Sequence, residues 1–352
     1  MLPHLVNVTL LVRSHCVVNL TSVEVARMLD DLERTSTRFR WLSPACAALA
    51  LAASVVGAFF LCSVVHGRRR KLLSSKPGVF LIHRAVADLT TNAAALAAGL
   101  YPLLLPADEE LFPSLPMMAL FCLFYGSVFD SVVTYSGLCR LKMLAVLHPL
   151  YYHTDVTTGR CLLHIGVAWA VSLLFVSGAF YSVARRFSTF RTGPVLCYDS
   201  EQCIEEHKVD LQVMAAVFAL GYFSVFASFG ITCLVLAFHR ARNRRDPTRS
   251  DARSRCFPWK IFGGILNFAL GYTPFLAVFA HFALTLKTCE IGKRYRLVFV
   301  DYPTVVLFIL LKNLLDPLVD FALDRRLRAA GRQLLLASRL ARRRQSIRYM
   351  SD

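Results

Sequence analysis

The sequence predicts an all-α membrane protein, a seven-transmembrane helix bundle with a short amphipathic helix after the seventh span. Hydrophobic residues make up 56% of the 352 residues, whereas soluble domains hold about 45–50%. The mean hydropathy of the chain is +0.50. Several apolar runs also reach the ~20 residues that a helix needs to cross a bilayer.

The expected spans follow one another in a single membrane domain, residues 42–323. Their limits are 42–65, 79–105, 117–147, 161–183, 209–238, 259–286 and 297–323. Residues 1–41 form the expected extracellular segment, and residues 324–352 form a cytoplasmic basic tail. Neither internal repeats nor low-complexity tracts divide the chain further.

The distribution of Lys and Arg sets the expected orientation. One set of connections, together with the tail, holds 23 Lys and Arg, and the opposite set holds 13. Because short loops rich in these residues stay in the cytoplasm, we expect the N-terminus outside and the C-terminus inside the plasma membrane. Two sequons, at Asn7 and Asn19, lie in the outer segment and could be glycosylated. The net charge of +17 then faces anionic lipids or an intracellular partner and needs no nucleic acid.

Cysteine placement argues for disulfides on the outer side and against enzyme chemistry. Disulfides persist on the oxidising side of the membrane, so we expect Cys122 to bridge to Cys197 or Cys203. Cys16 could pair with Cys289. The chain has no CxxC pair, HExxH motif or glycine-rich phosphate loop, which predicts that it is not an enzyme.

The tail and the seventh span carry charge in two different patterns. Residues 324–345, DRRLRAAGRQLLLASRLARRRQ, alternate Leu with Arg, which favours an amphipathic helix on the inner leaflet over a solvated basic tail. The stretch LLKNLLDPLVDFALDRR, residues 310–326, instead places Lys312, Asp316 and Asp320 at four-residue spacing on one helix face. A charge within a span costs about 2.5–3.5 kcal/mol or more unless it is paired. The pattern therefore predicts a polar site inside the bundle.

Five local motifs resemble those of the rhodopsin-like (class A) G-protein-coupled receptors, in order, over residues 42–335. HRAVADLTTNAA is similar to the Leu-Ala-x-x-Asp element, with Asp88 as its aspartate, and CRLKMLAVLHPLYY is similar to the segment that begins with Asp-Arg-Tyr. Trp169 matches the tryptophan of the fourth span. GYTPF resembles Cys-Trp-x-Pro, with Pro274, and NLLDPLVD resembles Asn-Ser-x-x-Asn-Pro-x-x-Tyr, with Pro317. The resemblance implies a divergent receptor of an orphan or chemosensory type.

Several departures fall on the residues that act as the activation switch in this family. Lys142 replaces the arginine of Asp-Arg-Tyr, and Asp320 replaces the last tyrosine of the seventh-span element. The expected switch residues are Lys142, Tyr272, Pro274, Pro317 and Asp320. Because Lys142 and Asp320 have opposite charges, we predict that they pair in at least one conformation. The alternative is that Asp320 pairs with Arg325 or Arg326.

The resemblance also implies a sodium site. The matching residues are Asp88, Ser131, Asn313 and Asp316, all with oxygen donors suited to a small cation. Two alternatives stay open. The Lys312 ammonium could lie between Asp88 and Asp316 in place of sodium, or the site could be a hydrogen-bond network with protonated carboxyls. No other cofactor is expected.

The ligand wall implied by the resemblance is apolar and aromatic. Its residues are Phe121, Phe124, Tyr125, Tyr272, Phe275, Phe279 and Val306. Such a wall suits a hydrophobic or weakly polar small molecule, a lipid or a peptide, although the same aromatics could serve only to pack the bundle.

The expected function is reception of an extracellular ligand and signalling through heterotrimeric G proteins at the basic cytoplasmic face. A second hypothesis is a transporter that uses the charges of the second and seventh spans, although the chain lacks an inverted repeat. A third is a receptor-like protein that acts by dimerisation without G-protein coupling. G-protein turnover separates the first hypothesis from the other two.

Overall fold

The computed structural model describes residues 22–104, 115–188, 201–243, 253–285 and 302–337. Regular structure in these ranges is helical, and they contain no strand. The seven long helices, named the first to seventh spans, are Ser22–Arg69, Ser75–Leu104, Leu115–Leu147, Thr158–Ser188, Glu201–Asn243, Arg253–Thr285 and Tyr302–Leu323. A short helix, Pro149–Thr154, joins the third span to the fourth. Residues 325–337 form a final helix, so the predicted helix order is confirmed.

Apolar composition supports insertion of these helices in a membrane. Among the described residues, four segments are long and apolar enough to cross a bilayer, one each in the first, fourth, fifth and sixth spans. They are Pro44–Arg69, Thr158–Gly178, Ala215–Val235 and Gly263–His281. The second, third and seventh spans carry most of the buried charges described below.

The first span begins earlier than the hydropathy predicts. Its helix starts at Ser22, whereas the apolar run starts near residue 42. Residues 22–41 hold four Arg, two Leu and two Glu, which favour a helix, but the segment is too polar for a membrane core. Hydropathy marks where a helix can enter lipid, and it does not mark where the helix itself begins.

The third span holds the centre of the bundle. It packs against the second, fourth and fifth spans, while the sixth packs against the fifth and seventh. The first span packs against both the second and the seventh, which closes the ring. Phe124, Val128 and Val132 of the third span join Phe268 and Tyr272 of the sixth in the main apolar core.

The final helix is fixed by a cap and by one buried leucine. The Asp324 carboxylate accepts hydrogen bonds from the backbone N–H groups of Arg326, at 2.9 Å, and Leu327, at 3.3 Å, as an N-cap residue does. Leu327 is buried against Phe60 and Val64 of the first span. The helix therefore packs against the bundle through one face, and Leu336 on another face is exposed.

Candidate functional site: a buried charge cluster

The structure brings the charges of the second and seventh spans together in the middle of the bundle. The Lys312 ammonium lies 3.0 Å from Asp88 Oδ1 and 3.0 Å from Asp316 Oδ2. It also donates to Asn313 Oδ1 at 3.1 Å. An ammonium has three donors, so these three oxygens account for all of them. The Lys312 side chain is fully buried.

The two carboxylates receive further donors from the third and sixth spans. Ser131 donates to Asp88 Oδ1 at 3.0 Å, and Asn267 Nδ2 donates to Asp316 Oδ1 at 2.5 Å. The Tyr135 hydroxyl donates to Asp316 Oδ2. A buried ion pair is tolerated only when its remaining polar atoms are satisfied, and this cluster meets that condition from four helices.

Two residues of the sixth span shape the space around Lys312. The Lys312 Nζ lies 5.1 Å from the ring centroid of Tyr272, within range for cation–π attraction. Tyr135 of the third span makes a similar contact, with its ring centroid 5.0 Å from Nζ. A Cβ added at Gly271 would lie only 2.6 Å from the Lys312 Cβ and 2.8 Å from its Cγ. Gly271 and Tyr272 replace the Cys and Trp of the Cys-Trp-x-Pro element. Both replacements therefore touch the lysine that the seventh span introduces.

The four residues expected to hold sodium do meet in the structure. The donor chemistry of Asp88, Ser131, Asn313 and Asp316 suits a small hard cation. However, the Lys312 ammonium already lies between the two carboxylates, so the site as built does not fit a further cation in that place. No group of three His, Cys, Asp or Glu suited to a metal ion occurs in the part of the chain that the structure describes.

A second ion pair, largely buried, lies one helical turn further along the seventh span. The Arg84 guanidinium of the second span pairs with the Asp320 carboxylate. The two side chains are only 6% and 17% exposed. The partners predicted for Asp320 from the sequence were Lys142, Arg325 and Arg326, and Arg84 was not among them. The available signal was the four-residue spacing of Arg84 and Asp88, which places both on one face of the second span.

A third polar group, also missed, lies between the second, third and fourth spans. His83 Nε2 is 3.5 Å from Asp130 Oδ2, and the His83 ring stacks on Trp169 with centroids 5.9 Å apart. Neither Asp130 oxygen has a hydrogen-bond partner among the described residues. The contact with Trp169 places this group beside the fourth span.

Most of the predicted ligand wall is assembled at the end of the bundle where the third span begins. The Tyr125 ring lies 5.9 Å from that of Phe124, 5.9 Å from Phe275 and 6.3 Å from Phe279. Phe218 of the fifth span, which was not predicted, packs against Phe275 with the ring centroids 4.9 Å apart. We call these five side chains the aromatic wall.

Two of the other predicted wall residues, Val306 and Tyr272, lie near the aromatic wall, and the side chain of the third, Phe121, is not among the described residues. Val306 is buried in the same apolar core. Tyr272 connects the wall to the charge cluster, because its ring lies 6.2 Å from Phe218 and near Lys312. Phe121 lies in the third span, and its side chain falls outside the described set.

Cys122 is a free thiol in this structure, but the side chains of its expected partners, Cys197 and Cys203, lie outside the described residues, so the bridge stays a prediction. The third span begins at Leu115, so Cys122 lies about two turns, or ~10 Å, inside the helix. Cys16, Cys197 and Cys289, like Asn7 and Asn19, lie outside the described residues, as does the side chain of Cys203.

The remaining switch residues lie where the sequence placed them. Pro317 falls inside the helix of the seventh span, next to Asp316, and Pro274 lies in the sixth span two residues after Tyr272. Lys142 lies near the end of the third span. The Lys142–Asp320 pair stays a prediction for another conformation, because the structure gives Asp320 the partner Arg84.

The family model that describes the 7 transmembrane receptor (rhodopsin family) matches residues 57–319. This range contains at least part of every span, together with the charge cluster and the aromatic wall. The chain therefore belongs to the rhodopsin family of seven-transmembrane receptors, which confirms the resemblance. No individual curated protein matches the chain at a significant level.

Proposed function

We propose that this receptor binds a hydrophobic or weakly polar extracellular ligand against the aromatic wall and signals through a heterotrimeric G protein. The observation that carries the proposal is the aromatic wall itself, with Tyr125, Phe275 and Phe279 in mutual contact. Aromatic side chains bury large apolar areas and leave few polar groups to satisfy. A hydrophobic or weakly polar ligand therefore gains the most binding free energy by contact with these rings.

Tyr272 supplies a route from the ligand to the charges. Its ring contacts Phe218 on the wall side and Phe268 on the core side, with centroids 6.2 Å and 4.9 Å away. It also lies over the Lys312 ammonium. A ligand that favours one position of Tyr272 shifts the balance between two arrangements of the sixth and seventh spans. Coupling to the G protein follows at the opposite, basic end.

We further propose that Lys312 takes the place of a sodium ion in this receptor. Its ammonium is held by two carboxylates and cannot exchange with solvent as a free ion does. The cation that steadies the bundle is then part of the chain. Receptor activity should accordingly be independent of the sodium concentration.

The topology belongs to the same proposal. The Lys/Arg asymmetry and the two sequons support a plasma-membrane receptor with its N-terminus outside and its C-terminus in the cytoplasm. The final helix exposes Leu335 and Leu336 beside several arginines, which suits contact with anionic lipid. Dimerisation would add a further partner surface.

G-protein activation in a heterologous cell, measured against a panel of lipids, apolar small molecules and amines, tests this function. We expect apolar ligands to be active and Tyr125→Ala to lower their potency by at least tenfold. Phe223→Ala removes an aromatic ring that is exposed on the fifth span and should leave potency unchanged. Solute flux without G-protein turnover would favour a transporter, and neither response would favour a receptor-like protein without coupling.

A further inference from the structure

We propose that the ion pair of Arg84 and Asp320 latches the C-terminal end of the seventh span to the second span, with Arg84 as the positioning residue. This inference rests on the proposed function only where it concerns signalling. The pair joins residues 236 positions apart in the chain. It lies beyond the Lys312 cluster, one turn closer to the final helix.

The latch is built on both sides by aromatic contacts. The Arg84 guanidinium carbon lies 5.6 Å from the ring centroid of Phe60 and 5.4 Å from that of Tyr135. Phe321, the neighbour of Asp320, packs its ring 5.5 Å from Phe59 and 5.7 Å from Phe60. The end of the seventh span is thus docked on the first and second spans by one charge pair and one ring.

Because the ion pair is largely buried, we expect the end of the seventh span to be either docked on the second span or released from it, with no stable intermediate position. If the seventh span moved away, the buried Arg84 would be left as an unpaired charge and the partly buried Asp320 would lose its partner, which is unfavourable. The span can therefore leave only when both groups find new partners or water. Arg84 Nε has no hydrogen-bond partner among the described residues, so the guanidinium keeps one donor available for such a new partner.

Tyr135 places the latch next to the charge cluster. Its ring lies between the two cations, 5.4 Å from the Arg84 guanidinium carbon and 5.0 Å from Lys312 Nζ. Its hydroxyl donates to Asp316. A change in the Tyr135 ring position would weaken both ion pairs together, so the latch responds to the state of the cluster. Release of the latch then frees the C-terminal end of the seventh span.

Charge reversal tests the latch in the full-length receptor. The variants are Arg84→Glu, Asp320→Arg and the two combined. Three quantities are measured: the melting temperature, basal G-protein activation, and the alkylation rate of a cysteine introduced by Leu323→Cys at the end of the seventh span. We expect each single reversal to lower the melting temperature by several degrees and to raise basal activation and alkylation severalfold. The combined variant should recover at least half of each change.

Matched variants separate the latch from general damage. Arg326→Glu with Asp320→Arg reverses an exposed neighbouring arginine and should recover nothing. Arg84→Lys keeps the charge and should keep alkylation near the wild-type rate. If reversal prevents expression, Arg84→Gln and Asp320→Asn remove the charges with little change in size and should give the same increases.

The outcomes are distinct. Additive losses in the combined variant overturn the latch, and so does recovery of the melting temperature while alkylation never changes, because the pair is then only structural. If no variant activates a G protein but alkylation follows the expected pattern, the latch stands and the proposed signalling function fails.

Discussion

Gly271 and Lys312 are fitted to each other at the level of single atoms. A methyl group at residue 271 would lie 2.6 Å from the Lys312 Cβ, closer than carbon atoms approach without distortion. The conflict involves the stem of the side chain, which cannot move without shifting the seventh span. A lysine in this position therefore requires a residue without Cβ in the facing helix.

Gly271→Ala should destabilise the receptor by about 1–3 kcal/mol, the usual cost of overpacking a core. The melting temperature of the purified receptor measures the effect. Gly264→Ala lies in the same span with nothing within 4 Å of the added Cβ, so it should be neutral or slightly stabilising. Equal effects of the two substitutions would show that the contact with Lys312 is not tight.

The sequence predicted the members of the charge cluster better than their partners. Helical spacing placed Lys312, Asp316 and Asp320 on one face, and the resemblance added Asp88. Neither of these identified Tyr135 or Arg84, because periodicity shows on which face of a helix a residue lies and does not show which neighbour its side chain contacts. Arg84 contacts Asp320 of the seventh span, and only the packing of the two spans defines that contact.

At the scale of the helix, the final helix depends on Leu327. Asp324 caps its start, and the exposed leucines further along point away from the bundle. The sequence predicted this helix from the alternation of Leu and Arg. It could not show which leucine enters the core, because all of them share the same chemistry and only contact with Phe60 and Val64 distinguishes Leu327.

Leu327→Ala should cost about 2–5 kcal/mol, as expected for removing a buried leucine side chain. Thermal unfolding of the purified receptor measures the loss. Leu336 is 58% exposed, and Leu336→Ala should change the melting temperature much less. A larger effect at Leu336 than at Leu327 would mean that contacts of the exposed face, rather than contacts with the bundle, hold the final helix in place.

Helix limits were predicted where composition changes abruptly and were missed elsewhere. The third span ends at Leu147, as predicted, before the proline-containing segment. The first span extends back to Ser22, because its polar residues favour the helix as well as apolar ones do.

At the scale of the molecule, two ion-pair groups join spans that lie far apart in sequence. Lys312 with Asp88 and Asp316 links the second and seventh spans at the middle of the bundle, and Arg84 with Asp320 links them again near one end. Hydrogen bonds from Ser131 and Asn267 bring in the third and sixth spans. The bundle is thus held by an internal cation that belongs to the chain.

The response of thermal stability to sodium tests this central claim without any ligand or G protein. The wild-type receptor should melt at the same temperature in sodium chloride and in potassium chloride of equal ionic strength. Lys312→Asn empties the place of the ammonium and should create a sodium-specific increase, about 1.4 kcal/mol at ten times the dissociation constant. Lys71→Asn, at an exposed lysine, should respond as the wild type does. A sodium-specific increase in the wild-type receptor itself would contradict the account, because the site would then still accept the ion that Lys312 is said to replace.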